Sequence, residues 1–222
     1  MTRWHLTTRM LAVVSLAAAT MIGMALAEGH ALKPQVTVMG QEKRETTPDC
    51  MRQGEPMTYL IDFQDPDEAG RWRAINDAVM GGVSRGGLRV EGGIGVFSGE
   101  TSLENNGGFA SVRRDPEAFD LSEHPGLELY VRGHGRRYQL RLYTDQLPQG
   151  AAYRASFQPR TGQWQRVVFT WSEFEPVFRG RLLEDVPAVD PARIEQLGLM
   201  IVDRQAGPFR LEVAWLATMK DL

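Results

Sequence analysis

Trp72-Arg-Ala-Ile-Asn-Asp-Ala-Val-Met-Gly-Gly-Val-Ser84, Phe97-Ser-Gly-Glu-Thr-Ser-Leu103 and Asn105-Asn-Gly-Gly-Phe109 are three turn-bearing stretches within a short span of chain. Each sets small or polar residues between brief apolar runs. Glycine in such places lets the backbone bend through positive φ or approach another segment closely. Punctuation at this density predicts short strands and tight turns rather than long helices.

The same texture extends outward. Leu127, Leu129 and Val131 alternate with Glu128, Tyr130 and Arg132, and Tyr138, Leu140 and Leu142 alternate with Gln139, Arg141 and Tyr143. Phe209, Leu211, Val213 and Trp215 alternate with Arg210, Glu212 and Ala214. Period-two patterning of this kind marks strands with one buried face. Further strands are expected at 59–63, 88–90, 95–97, 109–112, 153–157, 165–169 and 197–202, the last apolar on both sides and so central in its sheet. Turn signals separate them at Gly133-His-Gly135, Gln149-Gly150, Pro159-Arg-Thr-Gly162 and Gln205-Ala-Gly-Pro208. Asp190-Pro191 starts at most a turn or two of helix. About ten antiparallel strands with little helix describe an all-β sandwich.

The run from Asn76-Asp77 through Val79-Met-Gly-Gly-Val-Ser84, followed by Asn105-Asn-Gly-Gly-Phe109, resembles the complex I intermediate-associated protein 30 family. Further pieces of that pattern follow in order: Leu127–Gly133, Tyr138, Tyr153, Trp164, Phe169, Trp171, Phe174–Gly180, Gly198–Asp203 and Gly207–Leu211. The resemblance spans about residues 59–218 and implies a galactose-binding-like jelly roll. It also implies a chaperone-like assembly role with protein partners and no established catalytic residues. Gly133-His134-Gly135 stands where the family commonly has Gly-Asp-Gly.

The amino end differs in kind. Arg3, His5 and Arg9 precede an uncharged run from Met10 to Ala27 that closes on Ala25-Leu-Ala27. That is the form of a signal peptide cleaved after Ala27, with an uncleaved membrane anchor as the alternative. The expected location is periplasmic or secreted. The mitochondrial family member works on the matrix side, so an exported domain would share its binding surface and not its client. Residues 28–57, with Glu42-Lys-Arg-Glu45 and several prolines, read as a flexible linker, and 58–222 as the sandwich domain. No later segment is apolar enough to span a bilayer.

Without residues 1–27 the chain keeps 23 Lys and Arg against 28 Asp and Glu, a formal charge of −5. Nucleic acid is therefore excluded as an expected partner. Arg113-Arg114 and Arg136-Arg137 read as isolated pairs at solvated strand ends. Cys50 is the sole cysteine, so no internal disulfide forms and the fold rests on its core.

Chemistry is sparse. Gly82-Val-Ser-Arg-Gly86 matches the Gly-x-Ser-x-Gly elbow of hydrolases, but a strand and not a helix is expected after it, so no catalytic residue is assigned. The four histidines have no metal-ligand spacing, and no cofactor is expected. Asp62, Asp65, Asp67 and Glu68 are hard oxygen donors close in sequence, suited to a structural calcium or to a solvated acidic turn. Trp164 and Trp171 read as packing residues. Asn76 and Asp77 either cap their own turn or contribute to a recognition surface. Asn105–Gly108 reads as a type I′ hairpin.

The hypothetical partner surface comprises Trp72, Asn76, Asp77, Met80, Gly81, Gly82 and Ser84 on one turn and Asn106, Gly107, Gly108 and Phe109 on the other. Phe178 and Arg179 extend it as a contact loop, unless Phe178 tucks into the core. The expected function is a non-enzymatic protein-binding, assembly-factor-like module, exported and monomeric, with a carbohydrate-binding module as the alternative and hydrolysis through Ser84 as a third reading.

Overall fold

The computed structural model describes residues 57–220. The expected leader (1–27), Cys50 and all of the expected linker but Met57 lie outside the described residues.

Thirteen strands follow in chain order: β1 (Tyr59–Asp62), β2 (Trp72–Ala74), β3 (Arg85–Glu91), β4 (Ile94–Thr101), β5 (Ala110–Arg114), β6 (Gly126–Gly133) and β7 (Tyr138–Thr144). Then come β8 (Ala152–Phe157), β9 (Gln165–Thr170), β10 (Glu175–Phe178), β11 (Arg181–Leu182), β12 (Ile194–Ile201) and β13 (Gly207–Thr218). They form two antiparallel sheets. One runs β3-β4-β13-β6-β9, with β1 also paired to β13; the other runs β11-β10-β8-β7-β12-β5-β2. The expected sandwich is thus present, and the short strands β2, β10 and β11 are additions to the sequence reading. The helical turn at Pro191–Arg193 is a single 3-10 turn, with the Asp190 side chain accepting from the Ala192 N–H.

The inward faces follow the predicted alternation. Leu127, Leu129 and Val131 of β6 meet Tyr138, Leu140 and Leu142 of β7 and Leu197, Leu199 and Ile201 of β12 in one buried cluster. Each such side chain contributes about 1.5–3 kcal/mol on burial. β12 is central, paired on both sides, as its doubly apolar sequence requires.

The alternation fails at Trp215. The register shifts between Val213 and Trp215, leaving Ala214 as an extra residue in β13. A bulge of one residue exchanges the two faces beyond it. Leu216 therefore takes the inward place and Trp215 turns outward. There Tyr130 stacks on Trp215 at 5.4 Å and on Trp164 at 5.2 Å between ring centroids, while Tyr59 meets Trp215 edge-on at 5.7 Å. Arg132 and Arg166 lie over the two indoles, and Met57 packs against this second cluster. Tyr130, an outward position by sequence pattern, is buried by its neighbours.

Two arginines expected at solvated strand ends are structural. Arg114 is buried, and its guanidinium donates to both oxygens of the buried Glu68 at 2.8 and 2.9 Å and also to Glu117. Burial alone would lower the Arg114 pKa, and the bonds to Glu68 and Glu117 outweigh it, so the net shift is upward. Arg136 holds Asp203 through both its oxygens and caps the carbonyls of Gln205, Gly207 and Pro208. A pair of arginines read by sequence alone does not show Glu68 or Asp203, because these partners lie 46 and 67 residues away along the chain.

Replacing Arg114 by Met strands a buried carboxylate. The expected loss is about 3–5 kcal/mol in urea unfolding, and Glu68→Gln combined with Arg114→Met is expected to recover much of it, because the charge is then gone as well.

Candidate functional site

The chain leaves β2 through Asn76 into a 3-10 turn, Asp77–Met80, and Asp77 has no exposed surface. Its carboxylate is enclosed by donors. Oδ1 accepts the Ser84 N–H at 2.9 Å, and Oδ2 accepts the Ser84 hydroxyl at 2.5 Å, the Gly108 N–H at 2.7 Å and the Phe109 N–H at 3.3 Å. The Ser84 hydroxyl in turn accepts the Ser102 N–H at 2.9 Å. Asn76 extends the seam, donating to the Gly86 carbonyl at 3.0 Å and accepting the Ser111 N–H at 3.3 Å. The Asn105 side chain closes it by donating to the Gly81 carbonyl at 3.2 Å. Neither Asn76 nor Asp77 caps its own turn. Both join it to a segment some thirty residues onward in the chain, so the two glycine-rich turns do meet, as expected.

The glycine pairs divide two tasks. Gly81 and Gly108 carry the positive φ, 89° and 126°. Gly82 and Gly107 clear space instead. A Cβ on Gly82 would sit 2.4 Å from Asp77 Cγ, and one on Gly107 would sit 2.5 Å from Asp77 Oδ2. Asn105 and Asn106 are both left-handed, with φ of 54° and 58°. The expected type I′ hairpin is nevertheless absent, because β4 and β5 belong to different sheets and this turn crosses between them.

Burial would raise the Asp77 pKa, but hydrogen bonds from the Ser84 hydroxyl and from the Gly108, Phe109 and Ser84 amides outweigh it and hold it below its ordinary value. The group is an anion at neutral pH, satisfied by donors rather than by a cation. Ser84 is likewise buried, and its hydroxyl proton is committed to Asp77. It leads into β3 and not into a helix, so the hydrolase elbow is not formed.

What the seam presents outward is apolar. Val79, Met80 and Val83 on one loop and Leu103 on the other are 73%, 57%, 46% and 48% exposed. Of these only Met80 was anticipated. The signal in the sequence was an apolar triad flanking Gly81-Gly82, where a turn leaves little depth in which to bury all three.

The remaining expected site residues lie apart from the seam or serve the scaffold. Trp72, at the start of edge strand β2, donates its indole N–H to Glu68 at 2.9 Å and lies against Phe63. Phe178 ends β10 and Arg179 follows it, and β10 stands four strands from β5 across its sheet. Phe178 packs on the core with Arg179 over its ring, and the expected contact loop is an edge hairpin with β11. The four acids considered for calcium do not act together. Asp62 and Asp65 cap the backbone N–H groups of Gln64 and Asp67, while Glu68 is turned inward to Arg114 and Trp72. Among the described residues no three His, Cys, Asp or Glu side chains are grouped to hold a metal.

Residues 61–213 match the model of the family described as Complex I intermediate-associated protein 30, and the chain belongs to that family. It is 25% identical over 217 residues to the mitochondrial Complex I intermediate-associated protein 30 of Drosophila melanogaster, covering 86% of this chain and 73% of the relative. The protein of the same name from Neurospora crassa is 23% identical over 203 residues, covering 73% of each chain. Among solved structures, the family 11 carbohydrate-binding module of Clostridium thermocellum superposes with a TM-score of 0.53 at 14% identity, covering 74% of this chain and 96% of the module. That likeness establishes the jelly-roll fold.

The mitochondrial names of both relatives overturn the expected periplasmic or secreted location. A basic, acid-free amino end suits organelle transit peptides as well as secretory signals, so the residues that suggested export do not discriminate. The objection from membrane sidedness falls with it. No helix among the described residues is long and apolar enough to cross a membrane.

Asp77→Asn keeps the shape of the seam and removes its charge. The expected loss is about 2–3 kcal/mol in urea unfolding at neutral pH. Because the folded carboxyl titrates below the unfolded value of about 3.9, its stabilisation is complete above about pH 4 and is lost as the pH falls through the folded value. The Asn variant is therefore expected to lack that part of the acid-induced destabilisation, read from melting temperature against pH.

Proposed function

We propose that this member of the Complex I intermediate-associated protein 30 family is a non-enzymatic, assembly-factor-like module that binds an intermediate of complex I through the loop tip of Val79, Met80, Val83 and Leu103. The observation that carries the reading is the exposure of these four side chains on two loops fastened to each other by a buried carboxylate. Grouped exposed apolar residues favour contact with a partner. Preorganised loops lose little conformational freedom on binding, and a methionine adapts its shape to the surface it meets. The client class is taken from the names of the relatives.

The site chemistry supports recognition over turnover, since Asp77 and Ser84 satisfy each other inside the seam. Carbohydrate binding, the alternative drawn from sequence, has less support at this place. Trp72 is held against Phe63 by its bond to Glu68 and gives the tip no open ring.

The test is crosslinking in cells with the tagged full-length protein, wild type beside Val79→Ser/Met80→Ser. Complex I subunits are expected to be recovered with wild type and to fall at least about tenfold with the variant, whose melting temperature is expected to be unchanged because both residues are exposed. Equal recovery by the variant would remove the tip from the reading, and absence of complex I subunits with wild type would reject the client.

A further inference from the structure

The outer face of the seven-stranded sheet carries a row of cations, of which Arg73 and Arg154 at its two ends meet acids and Arg113 and Arg141 between them meet none among the described residues. Cross-strand pairing sets Arg154 of β8 beside Arg141 of β7, Arg141 beside Gly198 of β12, and Gly198 beside Arg113 of β5. These residues therefore share one row and one face, with neighbouring strands about 4.8 Å apart. Among the described residues neither Arg113 nor Arg141 has a carboxylate partner. Arg141 donates to Gln139 Oε1 at 3.1 and 3.3 Å. Arg113 lies 4.1 Å over the ring of Tyr143, and its Nε is buried without a hydrogen bond. Arg154 alone meets an acid, Glu175, at 3.2 Å. Burial lowers the Arg141 pKa; Tyr143 opposes that shift, while Arg113 and Arg154 add to it. The three like charges thus lie close enough to repel one another.

The row opens into a shallow groove of about 440 Å³ at the neighbouring end of the face, lined in part by Arg137, Gln139, Ser156, Gln158 and Arg204. Gly198 keeps the middle of the row low. A Cβ there would stand 3.3 Å from the Tyr143 ring and 3.5 Å from Arg113 Cγ, against the stacked pair. The carboxylates near this face are committed: Glu175 to Arg154, Asp203 to Arg136 and Asp115 to Arg73.

We propose that this face binds an extended acidic peptide segment of a protein partner, its carboxylates taken by Arg113, Arg141 and Arg154. Clustered guanidinium groups without acids select carboxylates, which they engage through paired N–H donors. An extended peptide presents side chains on one face about every 6.8 Å, a spacing that long arginine side chains on a pleated sheet can follow. Gln139, Ser156 and Gln158 supply the mixed donors and acceptors that peptide amides require. A sugar needs an open aromatic face, and the ring of Tyr143 is already covered by Arg113. Nucleic acid is disfavoured by the acidic balance of the whole chain, a formal −3. The surface shares no residue with the apolar loop tip, so the two readings stand or fall separately.

The experiment is fluorescence anisotropy with full-length protein and a labelled synthetic peptide of alternating Glu and Ser, beside an alternating Gln and Ser peptide, polygalacturonate and inorganic phosphate. Wild type is expected to bind the Glu peptide, more weakly as salt rises, and not the Gln peptide. Arg113→Gln/Arg141→Gln is expected to weaken binding at least about tenfold. Glu175→Gln frees Arg154 and is expected to tighten it about threefold, a gain that misfolding cannot imitate. Val79→Ser/Met80→Ser is expected to bind as wild type does. Equal binding of the two peptides, binding of polygalacturonate or phosphate alone, no binding at all, or unchanged affinity in the arginine double variant would each overturn the proposal.

Discussion

A single buried anion organises one end of this sandwich. Asp77 has no solvent contact and, among the described residues, no cation, so it persists because the hydroxyl and amide of Ser84 on its own loop and two amides of a turn some thirty residues onward converge on it. Those donors come from Ser84, Gly108 and Phe109, and their convergence fixes how β2 and β4 leave their sheets. The pairs Gly81-Gly82 and Gly107-Gly108 follow from the same requirement. One member of each pair supplies the bend, and the other clears the volume that the carboxylate fills. The apolar side chains at the tip owe their position to this arrangement, because loops without the anchor would be free to fold them inward.

Arginine serves three different purposes on the same scaffold. Arg114 is internal and balanced by Glu68 and Glu117, whereas Arg136 closes the 203–208 connection by occupying its carbonyls and Asp203. Arg113 and Arg141 lie half-buried on the outer sheet face, and among the described residues neither has a carboxylate partner. Adjacent residues thus have opposite fates: Arg113 and Arg114 point to the two sides of β5, one over the Tyr143 ring and one toward Glu68. Strand geometry alone produces this division, since successive side chains leave a strand in opposite directions.

The strands were largely legible because alternation reports burial directly. It identified β6, β7 and β13 and the central place of β12. It failed at Trp215, where a one-residue bulge inverts the pattern, and at Tyr130, whose outward side chain is covered by Trp215 of β13 and by Trp164 just before β9. The short β2, β10 and β11 had too few residues to show a period. At the site, Asn76, Asp77 and both glycine pairs were legible as residues of consequence. Their purpose was not, since turn capping is a local arrangement and the bonds to Gly108, Phe109 and Ser111 span more than thirty residues. Val79, Val83 and Leu103 were missed for the complementary reason: apolar side chains in turns look like minor core residues until the loops are placed.

The sequence by itself determined the sandwich, most of its strands and the family, because these depend on periodicity and on residue types at short spacing. Only the tertiary structure decided that Asp77 is an internal anchor, that Glu68 belongs to Arg114, and that Arg113, Arg141 and Arg154 form one row. Each of these depends on contacts between segments well separated in the chain, Glu68 with Arg114, Asp77 with Gly108, and Arg113 with Arg141 and Arg154 through the sheet. Sheet register brings them together, and no local pattern records it.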